Sequence, residues 1–255
     1  MGIQIAYYTD KGTRKQTNED ALVIRTAATD NGDVLLAAVC DGMGGLNRGE
    51  LASSSVVQAF SEWFEEKLPG LIENGYDYLS LKSGIEFEIR KQSKRMETYA
   101  SQRGLRLGTT LTMLLVVEGR MITVNVGDSR IYEIGEYVRQ LTKDHSLAQR
   151  EVDRGTLRLE DMERYEYRNV LTQGIGDSTN LLPDVKEESF DSNAVYLLCS
   201  DGFRHELSQE EIRLAVCAAY GKGEKIMSKA LEKLAQKAMS RGETDNITAV
   251  AVSIS

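Results

Sequence analysis

The stretch VLLAAVCDGMGGLNRGELASSS, residues 34–55, runs from a water-avoiding segment through a glycine-rich turn and on toward a helix. Val34–Cys40 has no polar alternation, so as a strand it must be buried on both faces, and TMLLVV, residues 112–117, has the same character. Such strands demand cover on each side, from a second sheet and from helices. The turn, Asp41–Gly45, raises a chemical question. A glycine-rich turn between strand and helix usually offers N–H groups to phosphate, but the leading carboxylate of Asp41 repels an anion resting there. Asp41 and an approachable Gly42 carbonyl suit a hard cation instead, since Mg²⁺, Mn²⁺ and Ca²⁺ take oxygen ligands. The motif alone reads equally as a tight turn with a capping Asp.

Outward from this stretch, period-two patterns and turn residues predict strands over Ile3–Thr9, Ala21–Ala27, Val34–Cys40, Thr110–Val117, Met121–Val126, Arg130–Ile134, Tyr137–Leu141, Ala194–Cys199 and Asn246–Ser253. RMITVNVGDSRIYEIGEYVRQLT, residues 120–142, reads as an antiparallel meander broken at Gly-Asp-Ser and Gly-Glu. Helical spacing appears at Val56, Phe60, Trp63, Phe64 and Leu68 up to Pro69, and at Ile85, Ile89, Met96 and Tyr99. Ile226, Ala230, Leu234 and Ala238 give a third helix, and Ser208 with Glu211 forms a capping-box signature ahead of a fourth. Two strand sets interleaved with two helix pairs imply an α+β, four-layer α-β-β-α sandwich of antiparallel sheets in a single domain, residues 1–255. The charged, weakly patterned segment Asp144–Asp191 reads as a flap or lid on its surface.

With 255 residues and 41% hydrophobic content, the chain can bury a large core. Its formal charge of −8 disfavours nucleic acid and anionic membrane as partners. No run approaches the ~20 apolar residues of a membrane span, and the N-terminus lacks a signal-peptide pattern, so the expected location is the cytoplasm. MGIQIA also lacks the Ser or Thr of a myristoylation signal. Cys40, Cys199 and Cys217 cannot pair completely and are expected reduced, the first two as buried hydrophobes.

Asp41 has company. Asp201 follows the strand AVYLLCS, Asp245 precedes NITAVAVSI, Asp128 follows ITVNVG, and Glu19 with Asp20 precedes ALVI. If these strand ends converge, their carboxylates repel unless cations lie between them. Other chemistries lack parts. His145 and His205 are the only histidines and make no HExxH-like pair, which leaves little for a zinc hydrolase or a Ser-His-Asp triad. CSDGFR, residues 199–204, is superficially similar to a cysteine phosphatase loop, but Asp201 would raise the thiol pKa.

TNEDA, VCDGMGG, GTTLTMLLV, NVGDSRIY, LTKDHSL, RNVLTQGIG, LLCSDGF and DNITAVAV, in that order from residue 17 to 252, closely resemble the bacterial branch of the metal-dependent Ser/Thr protein phosphatases, type 2C. The resemblance implies the same α-β-β-α sandwich and a hydrolase that dephosphorylates phosphoserine and phosphothreonine in signalling proteins, opposing a bacterial-type Ser/Thr kinase. It implies a centre of two Mn²⁺ or Mg²⁺ ions with a weaker third. Asp41 would bridge the two, with the Gly42 carbonyl beside it; Asp201 and Asp245 would complete the first site, Glu19 and Asp20 would serve the second largely through water, and Asp128 would help hold the third. Two cations about 3.5–4 Å apart can share a water and fix it for in-line attack on a phosphoryl group. For the phosphate clamp, Arg14 and Lys15 both qualify; Lys15 holds the family's usual Arg position, whereas Arg14 would grip two oxygens at once. In the lid, Tyr165-Glu166 replaces the usual His-Pro before the Arg-Asn pair, so substrate selectivity does not carry over. Met43 stands where animal relatives carry a His, and a thioether cannot donate a proton. Two rivals share the motifs: a pseudophosphatase acting as a binding module, and a phosphatase dedicated to a partner-switching regulator.

Overall fold

A computed structural model describes residues 2–30, 32–44, 48–178 and 180–254, the Glu163 side chain excepted. Two antiparallel sheets stack face to face. In one, β1 (Ile3–Asp10), β11 (Ile247–Ile254), β10 (Val195–Cys199), β7 (Arg130–Ile134) and β8 (Val138–Gln140) lie in that order. The other runs β2 (Asp20–Thr29), β3 (Gly32–Gly44), β5 (Leu111–Val117), β6 (Arg120–Val126), β9 (Asp184–Glu188), and β4 (Leu107–Thr109) pairs with the end of β3.

The unalternating run in β3 has a direct cause. Leu35, Ala37 and Val39 face the other sheet, meeting Tyr196, Leu198, Val250 and Val252. Leu36, Ala38 and Cys40 face outward onto α1 (Gly49–Glu66) and α3 (Tyr78–Arg103), packing with Val56, Phe60, Ile85 and Ile89. The first sheet is covered in the same way, Leu197, Cys199 and Ala251 meeting Ile212 and Val216 of α6 (Gln209–Ala219) and Leu231 and Leu234 of α7 (Glu224–Ser240). Each fully buried aliphatic side chain contributes roughly 1.5–3 kcal/mol, so both faces of β3 bind layers together. The result is the expected α-β-β-α sandwich.

Of the local signals, the capping box forms as the sequence implies, whereas Pro69 and Tyr99 act differently. Ser208 accepts from the Glu211 N–H at 3.2 Å while Glu211 accepts from the Ser208 N–H at 2.9 Å, closing the capping box. Pro69 does not end the first helix; α1 stops at Glu66 and Pro69 opens the short α2 (Leu68–Glu73), where a proline costs no helical hydrogen bond. Tyr99 leaves the apolar stripe and stacks under Arg103, 4.0 Å from the guanidinium carbon to the ring centroid.

Three larger expectations change as well. Asp41–Gly44 is not a turn: β3 continues through Gly44 and leaves its sheet to pair Gly42 with Thr109 and Gly44 with Leu107. Gly45 lies outside the described residues. The segment expected as a surface lid contributes to the body, because Ile175, Leu181 and Val185 are buried against the helices and β9 is the edge strand beside β6. Its remaining part holds α4 (Leu147–Asp153) and a 3-10 turn, Leu159–Arg164. Finally, α7 buries Met227, Leu231, Leu234, Ala235 and Ala238, a face rotated from the expected one, and leaves Ile226 exposed. No described helix is long and apolar enough to cross a membrane.

Candidate metal centre

Antiparallel pairing decides which strand ends meet. Cys199 pairs with Ala249 and with Arg130, so the end of β10 lies beside the starts of β11 and β7. Asp20 pairs with Asp41, which sets the start of β2 beside the far part of β3. Asp201, Asp245, Asp128, Asp20 and Asp41 therefore gather at one end of the sandwich, from both sheets. Asp201 is the first residue of α5 (Asp201–Arg204).

Backbone contacts fix the frame. The Asp41 N–H donates to Thr110 Oγ1 at 2.9 Å, and the Asp41 carbonyl accepts from the Thr110 N–H and Thr109 Oγ1, both at 2.9 Å. Gly42 donates to the Glu19 carbonyl at 3.1 Å, and a Cβ on Gly42 would sit 2.2 Å from the Gly49 carbonyl oxygen. Only glycine lets the strand pass that close to the start of α1. Gly202 is under the same constraint, since its Cβ would lie 2.2 Å from the Asn246 carbonyl oxygen. Glu19 does more than the resemblance implies: its Oε1 accepts from the Gly49 N–H at 3.1 Å and so caps α1 from a different segment.

The carboxylates repel one another. Burial, then Asp20, Asp201, Asp128 and Asp245, push Asp41 well above the ordinary value. Burial raises Asp20 to about 7, with Asp201 and Asp245 adding to it against hydrogen bonds from Thr248 and Ser200. Asp128 also rises to about 7 through burial and Asp201, opposed by Arg204 and Arg130. Asp20 Oδ2 accepts from Ser200 Oγ at 2.8 Å, but its buried Oδ1 has no partner. Among the described residues no three His, Cys, Asp or Glu side chains already close around one point, so the cluster is open. An orphaned carboxylate oxygen, raised pKa values and an all-oxygen donor set fit hydrated Mg²⁺ or Mn²⁺.

A lysine stands at the rim of the cluster. Lys15 Nζ lies 2.7 Å from Asp245 Oδ1; burial works to lower its pKa, yet Asp245, Glu19 and Asp41 raise it overall. Arg14, favoured for its two-pronged grip, is exposed and makes no ion pair among the described residues. Neither histidine is free. His145 Nδ1 accepts from the Gly127 N–H at 3.3 Å with Nε2 3.7 Å from Asp184, and His205 lies between Asp201 at 3.8 Å and Glu243 at 3.7 Å. Cys199 is inert in the core, its thiol pushed up to about 12 by burial, with Asp201 a smaller contributor.

Several supports escape the sequence patterns. Asn246 accepts from the Glu19 N–H at 2.8 Å and donates to the carbonyls of Lys11 and Thr17 at 2.9 and 3.1 Å, tying the Lys15 loop to the cluster. Arg130 grips Asp144 through Nε and Nη2, the latter at 2.7 Å, and Arg204 donates to the Asp128 carbonyl at 3.2 Å. Buried polar residues beside the acidic motifs were the available signal.

Comparison with known proteins adds an independent line. The family profile described as Protein phosphatase 2C matches residues 10–242. The chain is 31% identical over 253 residues to Protein phosphatase PhpP of Streptococcus pneumoniae, covering 99% of this chain and 98% of that one. It superposes on the S. agalactiae serine/threonine phosphatase with a TM-score of 0.85 at 27% identity, covering 100% of both chains. A TM-score of 0.78 at 27% identity, covering 98% of this chain and 97% of the other, relates it to the catalytic domain of the serine threonine protein phosphatase PstP in complex with 2 manganese ions.

Proposed function

Because the chain belongs to the protein phosphatase 2C family and is a metal-dependent phosphoserine/phosphothreonine phosphatase, we propose that the carboxylate cluster at the sandwich end is its metal centre. The observation that supports this reading most is the convergence of Asp41, Asp20, Asp128, Asp201 and Asp245 from both sheets, with raised pKa values and an orphaned oxygen on Asp20. In our reading Asp41, with the Gly42 carbonyl beside it, would serve both of two ions; Asp201 and Asp245 would complete the first site, Glu19 and Asp20 would serve the second, and Asp128 would help hold a weaker third. Bound Mn²⁺ or Mg²⁺ supplies Lewis acidity and brings the pKa of water toward neutrality.

The chain's own residues do the rest. Lys15 reaches the cluster from its rim on a flexible stem, and we assign it the grip on the phosphoryl oxygens; as a point charge it sets position less strictly than a guanidinium fork. Thr109 and Thr110 hold Asp41 at a fixed depth, and Glu19, by capping α1, couples that helix to the site. With Met43 unable to donate, His145 held by Gly127 and Asp184, and His205 held between Asp201 and Glu243, no side chain is assigned as general acid. The lid, with Tyr165 and Tyr167 edge to face at 5.7 Å, is assigned to substrate selection. Phosphoproteins made by a cognate Ser/Thr kinase in the cytoplasm are the proposed substrates. The pseudophosphatase reading gains no support, since Asp41, Asp201 and Asp245 are all present in the sequence; a phosphatase dedicated to a partner-switching regulator would share this chemistry and differ only in its substrate.

The test presents phosphothreonine, phosphoserine and phosphotyrosine peptides side by side in Mn²⁺. Release from the first two, much exceeding the third, is expected; Mn²⁺ binding with no release from any peptide would make the protein a binding module.

A further inference from the structure

On the outer side of the α6–α7 layer lies a groove of about 970 Å³ that shares no residue with the carboxylate cluster. Its lining includes Leu214 and Ile226, which are 55% and 48% exposed, together with Ala218 and Ala230. Single exposed apolar residues need no explanation, but here several share one concavity. The cause is visible in α7: the row Ile226, Ala230, Leu234 continues the apolar pattern, yet the helix turns Met227 and Leu231 into the core and leaves Ile226 outside.

Around this apolar lining stand Lys222, Lys225, Lys229, Lys233 and Lys237. Lys237 meets Glu211 at 2.6 Å, and Glu211 is further held by Arg241 at 2.6 Å. Lys222, Lys225, Lys229 and Lys233 form no ion pair among the described residues. On a chain of net charge −8, this is a local reversal of sign centred on exposed apolar surface. Lys225, Lys229 and Lys233 follow at four-residue intervals, about 6 Å apart along the helix axis, the spacing at which a second helix presents its own i, i+4 side chains. A channel between two packed helices admits a third helix, whereas a bilayer surface meets convex faces and does not enter a concavity.

We propose that the α6–α7 groove docks an acidic amphipathic helix of a partner protein, its apolar stripe covering Leu214 and Ile226 and its carboxylates facing the four lysines. A partner held there keeps its phosphorylated sites at raised effective concentration near the enzyme, by contacts separate from those that turn over phosphate.

The probe is a fluorescein-labelled peptide of about 18 residues, ~27 Å as a helix, made of Leu, Ala and Glu with Leu at helical spacing. Binding to the full chain is read by anisotropy, beside a scrambled peptide of equal composition and vesicles of phosphatidylglycerol and phosphatidylcholine. The patterned peptide binds the wild type at least ~10-fold more tightly than the scrambled one. The triple change Lys225→Glu, Lys229→Glu, Lys233→Glu and, separately, Leu214→Glu on the other helix each weaken it ~10-fold or more, while hydrolysis of p-nitrophenyl phosphate is unchanged. Circular dichroism checks the fold of both variants. Four results overturn the proposal: equal binding of the scrambled peptide, equal binding by both folded variants, Leu214-dependent binding of vesicles without peptide binding, and a dimer of this chain that Leu214→Glu dissolves.

Discussion

Replacing Asp20 by Asn should make the metal-free protein more stable at pH 8. Asp20 is 8% exposed, its Oδ2 accepts from Ser200, and its Oδ1 has no partner. Its folded pKa is about 7 against an ordinary 3.8. The folded state therefore holds that proton more tightly than the unfolded chain, so stability is unaffected below pH 3.8, falls as pH rises toward 7, and is flat above. The gap corresponds to at most about 4 kcal/mol at pH 8, taking ~1.4 kcal/mol per pKa unit. Asn removes the charge but can leave its amide unpaired, which costs roughly 1–3 kcal/mol. The net gain is about 1–3 kcal/mol at pH 8, or ~2–10 °C in Tm for a chain of this size, and none at pH 4.5. Mn²⁺ at 100 times its Kd would stabilise the wild type by about 2.7 kcal/mol and the variant by less, which narrows the variant's advantage. Thermal unfolding in chelator at both pH values, and again with Mn²⁺, reads all of this. An Asp20→Asn protein that melts below wild type by the same margin at pH 8 and pH 4.5 would refute the repulsion on which the centre is built.

Further outcomes follow from individual contacts. Asp201→Asn and Asp245→Asn should each fold as wild type by circular dichroism yet lose more than the ~10–100-fold expected for an outer-shell change in Mn²⁺-dependent kcat/KM; near-normal turnover would remove them from the centre. Lys15→Ala should raise KM for p-nitrophenyl phosphate, with Lys15→Arg restoring it and Arg14→Ala having little effect, and steady-state kinetics showing the reverse order would move the clamp to Arg14. Changing Tyr165 and Glu166 should alter rates on a phosphoprotein and spare the aryl phosphate, whereas equal losses on both would deny the lid a selective role. His145→Ala, His205→Ala and the double variant should each reduce kcat by less than the ~10²–10⁴-fold of a lost general acid; a larger loss confined to substrates with poor leaving groups would identify that histidine as the acid.

Much of this molecule is legible without coordinates because its determinants are local. The unbroken apolar run Val34–Cys40 predicts two buried faces, and both are found. Acidic residues at strand ends predict a cluster once pairing is antiparallel, and the register supplies that. What sequence hides is set by distant partners. Asp184–Glu188 reads as lid because an edge strand tolerates charges on its open side, and its identity depends on β6. Asp41–Gly44 reads as a turn because glycines mark turns, whereas here they admit the close passage of β3 past Gly49. Arg14 outranks Lys15 on grip alone; only the tether of the loop through Asn246 brings Lys15 to Asp245. The face of α7 was displaced since Met227 and Leu231 are larger than the alanines of the expected row and fill the layer beneath.

The most direct test of the metal-centre reading titrates Mn²⁺ into chelator-stripped wild type and Asp41→Asn, following bound metal by calorimetry and phosphate release from a phosphothreonine peptide in the same samples. Expected are no release without metal, release by the wild type that rises with occupancy and returns to background on chelation, and neither tight binding nor release in Asp41→Asn. Turnover that survives chelation, or an Asp41→Asn protein that binds Mn²⁺ and hydrolyses the peptide as the wild type does, would contradict the metal-centre reading.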